Sequence, residues 1–312
     1  MFVVLEQLLT GRRDRVRLML AVLLISAAFP LVVGLIQMMG SSGDRVSGPF
    51  VHPNPFGTFL VAMMLLVLSL ATVNRGRRRV LLLVLLALLA VVLVGTEFRA
   101  GWIALVVGLL YLGFRRSRWI LPLVAVGLVV AFTTVPAVSE RFSDLGEQDV
   151  WLPEGVPRNS WEWRVQYWER IIDSASDSPV TGVGLGVVVE TQPDAREPHN
   201  VWVQTYAEIG VLGLAAFATA TVLFGRALSR RRRAATTPFD QAIATGSIAI
   251  ALAYLAQSIS ENLLQQTYAW WLLAATTAWG YRTAARPRMV EGELPQRSTA
   301  ERPSLVASPD HG

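Results

Sequence analysis

The sequence predicts an all-α integral membrane protein of about eight transmembrane helices, and three observations support this fold class. Hydrophobic residues make up 53% of the 312 residues, and the mean hydropathy is +0.43. These residues are gathered into blocks of roughly the length that crosses a bilayer. Short arginine clusters separate the blocks, as in the cytoplasmic loops of multi-pass proteins.

Eight apolar runs are the candidate spans, and their order gives the order of the helices. They cover residues 18–39, 56–73, 80–95, 102–114, 120–138, 201–224, 241–263 and 268–281. The third and fourth runs are shorter than the roughly 20 residues that a straight spanning helix needs.

The arginine clusters test this order independently, because the positive-inside rule puts them all on one side. They lie at residues 12–17, 75–79, 115–118, 226–233 and 282–288, and they alternate correctly with the spans. We therefore expect both termini to be cytoplasmic. Residues 40–55, 96–101, 139–200 and a turn near Gln265 would then lie outside. All 28 basic residues are arginine, which is typical of a GC-rich genome, so the expected location is a bacterial plasma membrane.

This arrangement of spans and loops divides the chain into four parts. Residues 1–138 would hold about five spans, residues 139–200 a large extracytoplasmic loop, and residues 201–282 about three further spans. Residues 283–312, rich in proline, serine and charge, would form a disordered cytoplasmic tail.

The outer loop contains one segment with helical periodicity, residues 160–173. Its apolar face is formed by Trp161, Val165, Trp168 and Ile172. The segment either lies in the outer headgroup layer or forms a small helix that caps the spans. Both interpretations put Arg164 near a lipid phosphate.

Composition also excludes several kinds of chemistry. Cysteine is absent, which rules out disulfides, thiolate catalysis and cysteine metal sites. Only three histidines are present, so a zinc site is not expected, and we predict no metal and no cofactor. The net charge of +5 does not indicate a nucleic-acid partner, because the arginines lie between spans.

The segment 199–213 places a histidine and an amide where the polar outer loop enters an apolar helix. If it is one continuous helix, His199, Tyr206, Gly210 and Gly213 fall within about 40° of one another. Asn200, Gln204 and Glu208 would form a polar stripe beside them. His199 is the candidate catalytic residue, and the others are candidate supporting residues.

Three more candidates lie at the expected outer ends of spans. Arg99, between two short spans, would pair with Glu97, snorkel outward or clamp a phosphate with its planar guanidinium. Glu261 would lie one helical turn after Gln257 and either orient an arginine, accept sugar hydroxyls or make a packing hydrogen bond. Asn54 would start the second span, where asparagine often simply caps a helix.

The glycine-rich segment 181–186 resembles a nucleotide loop, but it follows no βαβ unit. We interpret it as a flexible turn that returns the outer loop toward His199.

Four of these candidates come from separate segments of the chain, yet the predicted topology puts all of them at the outer surface: Arg99, Arg164, His199 and Glu261. A cation-rich pocket with one histidine suits a phosphorylated lipid substrate. The arginines would hold phosphate, and the imidazole would take a proton near pH 7.

These residues resemble the signature of the O-antigen ligase and O-antigen polymerase superfamily. The resemblance is carried by His199-Asn200 followed by Gly210 and Gly213, by Pro53-Asn54, and by the turn Glu97-Phe98-Arg99-Ala100-Gly101. Arg164 to Trp168 followed by Pro179, Gly182 and Gly184 adds to it. Together these matches cover roughly residues 45–225, in family order.

The resemblance implies a glycosyltransferase of the GT-C-like type that acts outside the plasma membrane. It would transfer glycans from an undecaprenyl-pyrophosphate-linked donor to a glycan, lipid or protein acceptor, without a metal. Arg99 and Arg164 would hold the pyrophosphate, and His199 would position or deprotonate the acceptor hydroxyl. The chain departs from the family in two ways: it looks N-terminally short, and Phe98 stands where the family has serine.

Two other classes of function remain open from the sequence. Buried polar residues in short helices also mark the substrate paths of transporters, here for a small anion or an envelope precursor. Polarity clusters at span ends and not at the midplane, which favours surface chemistry. An inactive scaffold in a cell-envelope assembly is the third possibility. The choice between ligase and polymerase, the sugar, the linkage and the oligomeric state are not specified.

Overall fold

The computed structural model describes residues 13–40, 45–143, 160–191 and 197–277, and the predicted cytoplasmic tail lies outside these ranges. All regular elements within them are helices, which confirms the all-α prediction. The elements are α1 (Arg13–Ser26), α2 (Ala28–Gly40), α3 (Pro53–Ala71), α4 (Gly76–Gly95), α5 (Arg99–Arg115), α6 (Ile120–Thr134), α7 (Pro136–Ser143), α8 (Ser160–Ser174), α9 (Val187–Thr191), α10 (Val201–Ala234), α11 (Pro238–Gln257), a 3₁₀ turn (Leu263–Gln265) and α12 (Thr267–Thr277).

Each of the eight predicted spans falls largely in helix within the described residues, although the seventh, 241–263, runs past the end of its helix at Gln257. Five helical segments are long and apolar enough to cross a membrane: Asp14–Gly40, Pro53–Ala71, Gly76–Gly95, Val201–Ala234 and Pro238–Gln257. The other three predicted spans correspond to α5, α6 and α12, which have 17, 15 and 11 residues.

Local sequence explains where several of these helices start. Pro53 and Pro238 occupy the first turns of α3 and α11, where the missing N–H costs nothing. The Thr237 side chain caps α11 by accepting a hydrogen bond from the Asp240 backbone N–H. These starts fix the two most buried helices of the bundle.

The core is built around α3 and α11, which pack against each other and against α5. Small residues allow this close approach, as is common between membrane helices. A Cβ on Gly108 of α5 would lie 2.5 Å from Leu65 Cδ1, and one on Gly246 of α11 would lie 3.0 Å from Ser69 Cβ. Helices from both predicted bundles, 1–138 and 201–282, therefore share one core.

The outward faces of the peripheral helices carry large apolar side chains that the protein does not cover. Ile25 and Phe29 near the N-terminus, Val129 on α6 and Leu212 on α10 are all more than half exposed. Such a surface is what a lipid environment accepts, because lipid tails are as apolar as the side chains themselves.

Arginines gather at one end of the bundle, which we call the arginine end. There the Arg116 Nε donates to Thr72 Oγ1 (2.9 Å), just beyond α3, and its Nη2 donates to the Pro238 carbonyl (3.4 Å). Arg231 of α10 donates to the Thr277 carbonyl at the end of α12. The candidate site lies at the opposite end of these helices, which we call the polar end.

Candidate functional site

The polar end is assembled by an arginine that the sequence analysis did not single out, Arg45. Its Nε donates to the Thr96 carbonyl (2.9 Å), and its Nη2 donates to the Asn54 Oδ1 (3.0 Å) and the Glu97 carbonyl (3.4 Å). One guanidinium therefore ties the start of α3 to the turn between α4 and α5. Arg99 is the first residue of α5 and lies directly after this turn.

The turn before Arg99 has an unusual backbone. Glu97 has φ 50°, a left-handed conformation that side chains other than glycine rarely adopt. The Phe98 side chain fills the space beside two glycines, because a Cβ on Gly57 or Gly101 would lie within 2.6 Å of its ring. Phe98 thus serves as a packing wedge at the position where the family has serine.

Glu261 is the centre of a second group of contacts. Asn54 Nδ2 donates to Glu261 Oε1 (2.7 Å), and Arg164 Nη2 lies 3.9 Å from the same oxygen. Glu261 is only 4% exposed. Burial raises the pKa of its carboxyl from the usual 4.5 to about 7, although the charges of Arg164 and Arg45 and the hydrogen bond from Asn54 oppose this rise.

The predicted helical stacking of Glu261 on Gln257 is wrong. Helix α11 ends at Gln257, and Glu261 lies in the following turn before the 3₁₀ element. Leaving the helix brings Glu261 to Asn54, while Gln257 stays in the core and accepts a hydrogen bond from Thr58 Oγ1 (2.9 Å).

A chain of amides and carboxylates continues from Glu261 into the first turns of α10. Asn262 Nδ2 donates to Gln204 Oε1 (2.5 Å) and Glu197 Oε2 (3.2 Å). Gln204 Nε2 in turn donates to Glu208 Oε1 (2.9 Å). Gln204 and Glu208, two of the three residues of the predicted polar stripe, thus belong to a buried network, whereas the third, Asn200, caps the helix.

His199 lies at the entry to this network. Its φ of 49° is left-handed, so the backbone turns sharply just before α10. Asn200 then caps the helix, because its side chain accepts from the backbone N–H groups of Trp202 (2.9 Å) and Val203 (3.2 Å). On the other side, Trp168 Nε1 donates to the Pro198 carbonyl (2.6 Å).

The prediction of one continuous helix through Gly210 is wrong. Gly210 has φ 66° and ψ −170°, which breaks α10 into a first half, residues 201–209, and a second half, residues 211–234. The rings of Trp202 and Phe217 lie 5.1 Å apart, although 15 residues of unbroken helix would separate them by about 22 Å. The two halves therefore fold back on each other.

The glycine-rich turn of the outer loop fills this break and is not a free, flexible turn. The Val183 and Gly184 N–H groups donate to the carbonyls of Ala207 and Glu208 (2.9 and 3.0 Å), which end the first half. The Pro179 carbonyl accepts from the Val211 N–H (2.9 Å), which begins the second half. The loop therefore satisfies backbone groups that the break leaves open.

Glycine is required on both sides of this contact. A Cβ on Gly182 would lie 2.3 Å from the Glu208 carbonyl carbon, and one on Gly210 would lie 2.2 Å from the Val180 carbonyl oxygen. A Cβ on Gly213 would meet the Ile209 side chain at 2.2 Å. The spacing of Gly210 and Gly213 thus reflects a folded-back helix and not a smooth helix face.

Helix α8 holds Arg164 over the site by packing against the first half of α10. Its buried face is formed by Tyr167 and Ile171, which cluster with Ala207 and Val188, and Tyr206 packs against the same cluster. Trp161 and Ile172, on the face predicted from periodicity, stay exposed. The helix therefore packs on the bundle with one face and leaves the apolar side chains of Trp161 and Ile172 uncovered.

The structure thus brings most of the predicted residues to one end of the bundle. Arg164 and Asn54 both contact Glu261, and Arg45 ties the turn before Arg99 to the same group. Asn200 and Glu208 belong to the neighbouring network, whereas Tyr206, Gly210 and Gly213 shape its support. Within the described residues, no group of three or more His, Asp or Glu side chains could hold a metal ion.

Arg45, Glu197 and Asn262 are residues of this end that the sequence analysis missed. Arg45 carried a usable signal, because it lies in the predicted outer segment 40–55, apart from the arginine clusters. Glu197 and Asn262 carried none, since each is one polar residue among several in its segment.

Comparison with known proteins agrees with the resemblance seen in the sequence. Residues 84–218 match a family model described as O-antigen ligase, which confirms the expected superfamily over that range. The match contains Arg99, Arg164, His199 and the break at Gly210. No curated protein matches the chain.

Proposed function

Residues 84–218 match the O-antigen ligase family, and from this premise we propose that this membrane protein is a glycosyltransferase. It would transfer or polymerise glycans carried on undecaprenyl pyrophosphate, at the outer face of the membrane. The observation that carries the proposal is the meeting of Arg164, Asn54 and Glu261 at one end of the bundle, beside the turn that leads into Arg99.

The donor pyrophosphate would bind to Arg164 and Arg99. A guanidinium offers five N–H donors. Arg164 makes only a 3.9 Å ion pair with Glu261 among the described residues, too long for a hydrogen bond. It can therefore turn its donors to a phosphate, and the charge of a pyrophosphate would compete strongly with Glu261 for it.

In the proposed reaction, the acceptor hydroxyl oxygen attacks the anomeric carbon of the donor sugar. The bond from that carbon to the pyrophosphate oxygen breaks, and the electron pair leaves with the lipid pyrophosphate. The arginines stabilise the charge that develops there. The hydroxyl proton passes to His199 or, if His199 only positions the acceptor, to the departing pyrophosphate. The place of His199 between Pro198 and the Asn200 cap fixes its backbone for either role.

The outer face is proposed from the charge distribution along the bundle. The arginine clusters predict that the arginine end is cytoplasmic. The polar end lies at the opposite ends of α3, α4 and α11, so it would face outward, where lipid-linked glycans are assembled into surface polymers.

The decisive experiment uses the full-length purified protein in lipid nanodiscs with a labelled undecaprenyl-pyrophosphate-linked oligosaccharide. We expect longer chains from a polymerase, or transfer to a different added acceptor from a ligase. Release of lipid pyrophosphate should accompany either product. A transporter or a scaffold would leave the oligosaccharide chemically unchanged, and that result with well-folded protein would overturn the proposal.

His199→Ala and Arg99→Ala test the site in cells. Each is expected to abolish the surface glycan and to cause lipid-linked repeat units to accumulate. Arg118→Ala, which removes an arginine of the predicted cytoplasmic clusters, is the matched control and should leave the glycan unchanged. Normal polymer in both site variants would contradict the assignment.

A further inference from the structure

A groove between the second half of α10, α11 and α12 is not explained by the proposed chemistry. It has a volume of about 300 Å³, at the lower end of the range for small-molecule sites. Its lining runs from Val201, Ser258 and Leu263 near the polar end to Leu228, Ile248 and Leu273 deeper in the bundle. The ten residue-to-residue steps from Ile248 to Ser258 make it about 15 Å long, roughly half the hydrocarbon thickness of a bilayer.

The lining is suited to a ligand without polar groups. Aromatic and aliphatic side chains dominate it, among them Phe217, Phe224 and Trp270. Its Thr221 and Ser258 hydroxyls already donate within the chain, to the carbonyls of Phe217 (2.9 Å) and Leu255 (2.7 Å). An apolar occupant would therefore leave these two hydroxyls satisfied. Tyr254 also lines the groove, and its hydroxyl is buried without a hydrogen-bond partner among the described residues.

The groove adjoins the candidate site. Val201, which lines its upper end, directly follows His199-Asn200, and its N–H donates to the Ser258 carbonyl (2.9 Å). Leu263, also in the lining, directly follows Glu261-Asn262. A molecule that occupied the site and the groove together would need a polar head and a long apolar tail.

We propose that this groove binds the first part of the isoprenoid tail of the lipid-linked donor, while the pyrophosphate lies at Arg164. The inference rests on the proposed function and names the place of the donor tail. The groove is shorter than the membrane is thick, so the rest of the tail extends into the lipid. Transfer should therefore depend on tail length only up to the length that fills the groove.

The test compares two donors with the same glycan pyrophosphate head, one with a full undecaprenyl tail and one with a geranyl tail. Gly225→Leu fills the groove from α10, where a Cβ meets nothing within 4 Å. Gly127→Leu is the matched control, because Gly127 of α6 is also exposed with open space around it, and it lies outside the groove. Leucine is a better helix former than glycine, so neither change should weaken its helix.

We expect the wild type and Gly127→Leu to use the long-tail donor with the lower KM. Gly225→Leu should raise the KM for the long-tail donor about tenfold, the equivalent of about 1.4 kcal/mol, and leave the short-tail donor unaffected. Unchanged long-tail kinetics, or an equal loss with both donors, would overturn the groove assignment. Wild-type protein that transfers from neither donor would overturn the proposed function instead.

A second measurement needs no variant. A photoactivatable undecaprenyl monophosphate should cross-link to residues 217–228 or 248–258 of the full-length protein in nanodiscs. Excess unlabelled undecaprenyl phosphate should suppress the cross-link, and excess phosphatidylglycerol should not. Equal competition by phosphatidylglycerol would show a general lipid groove and contradict the proposal.

Discussion

The two halves of α10 differ in which side chains they bury, although they are consecutive in the chain. The first half buries polar side chains, with Gln204 and Glu208 each 7% exposed. The second half exposes apolar ones, with Leu212 at 63%. The difference is what we expect if the first half belongs to the proposed site and the second half faces lipid. The fold-back at Gly210 separates the two environments.

The largest expected effect comes from removing the break itself. Gly210→Ala places a Cβ 2.2 Å from the Val180 carbonyl oxygen and forces alanine into a backbone region open almost only to glycine. We expect a loss of unfolding free energy above about 3 kcal/mol, or no folded protein. The measurement is thermal unfolding of the purified protein in detergent.

Two other glycine variants should lose less stability than Gly210→Ala. Gly186→Ala has a left-handed φ of 78° but no atom within 4 Å of the new Cβ, so it should cost only about 1 kcal/mol. Gly225→Ala, in the second half, meets neither constraint and should be neutral or stabilising. If Gly210→Ala behaves like Gly225→Ala, the fold-back is not essential.

The second prediction concerns the pH dependence of stability at the polar end. Arg164, Asn54, Arg45 and Glu197 face the Glu261 carboxyl, and burial raises its pKa from 4.5 to about 7. The folded protein therefore binds this proton more tightly than the unfolded chain does. Its contribution to stability is full below about pH 4.5 and is lost as the pH rises through about 7.

Glu261→Gln isolates that contribution, because glutamine cannot titrate. Between pH 4.5 and 7, the wild type should lose up to about 1.4 kcal/mol of unfolding free energy per pH unit relative to the variant. The measurement is the difference in thermal midpoint between the two proteins across this range. Parallel curves would mean that Glu261 does not titrate there.

The fold was more predictable than the site, for a physical reason. Apolar blocks and arginine clusters indicate where the long helices lie along the chain, and each predicted span falls largely in helix within the described residues. The break at Gly210 was missed because a helical wheel assumes continuity. The contacts that stabilise it come from residues 179–184, which are distant in sequence. Arg45 was missed because two of its partners are the backbone carbonyls of Thr96 and Glu97, which no side-chain motif reveals.

A single substitution should cost more unfolding free energy in the first half of α10 than in the second half. Gln204→Leu removes both the donor to Glu208 and the acceptor for Asn262, leaving buried polar groups unpaired at a cost of about 1–3 kcal/mol. Leu223→Ala, at an exposed position in the second half, should cost less than about 0.5 kcal/mol. Thermal unfolding in detergent measures both, and equal costs would remove the distinction between the halves.

The smallest effect is expected at the cap that starts the first half. Asn200→Ala removes the acceptor for the Trp202 and Val203 N–H groups, which should cost about 1 kcal/mol. Asn200→Asp keeps an acceptor there and should restore stability.

The pair also separates capping from chemistry. Asn200 fixes the position of the left-handed turn at His199 relative to α10. Loss of the cap should therefore lower the rate of glycan transfer even under conditions where the variant stays folded. If capping is its whole role, Asn200→Asp recovers transfer together with the thermal midpoint. If Asn200→Asp is as stable as the wild type but does not transfer glycan, the amide contacts the substrate directly, and the first half of α10 supplies a binding group as well as a support.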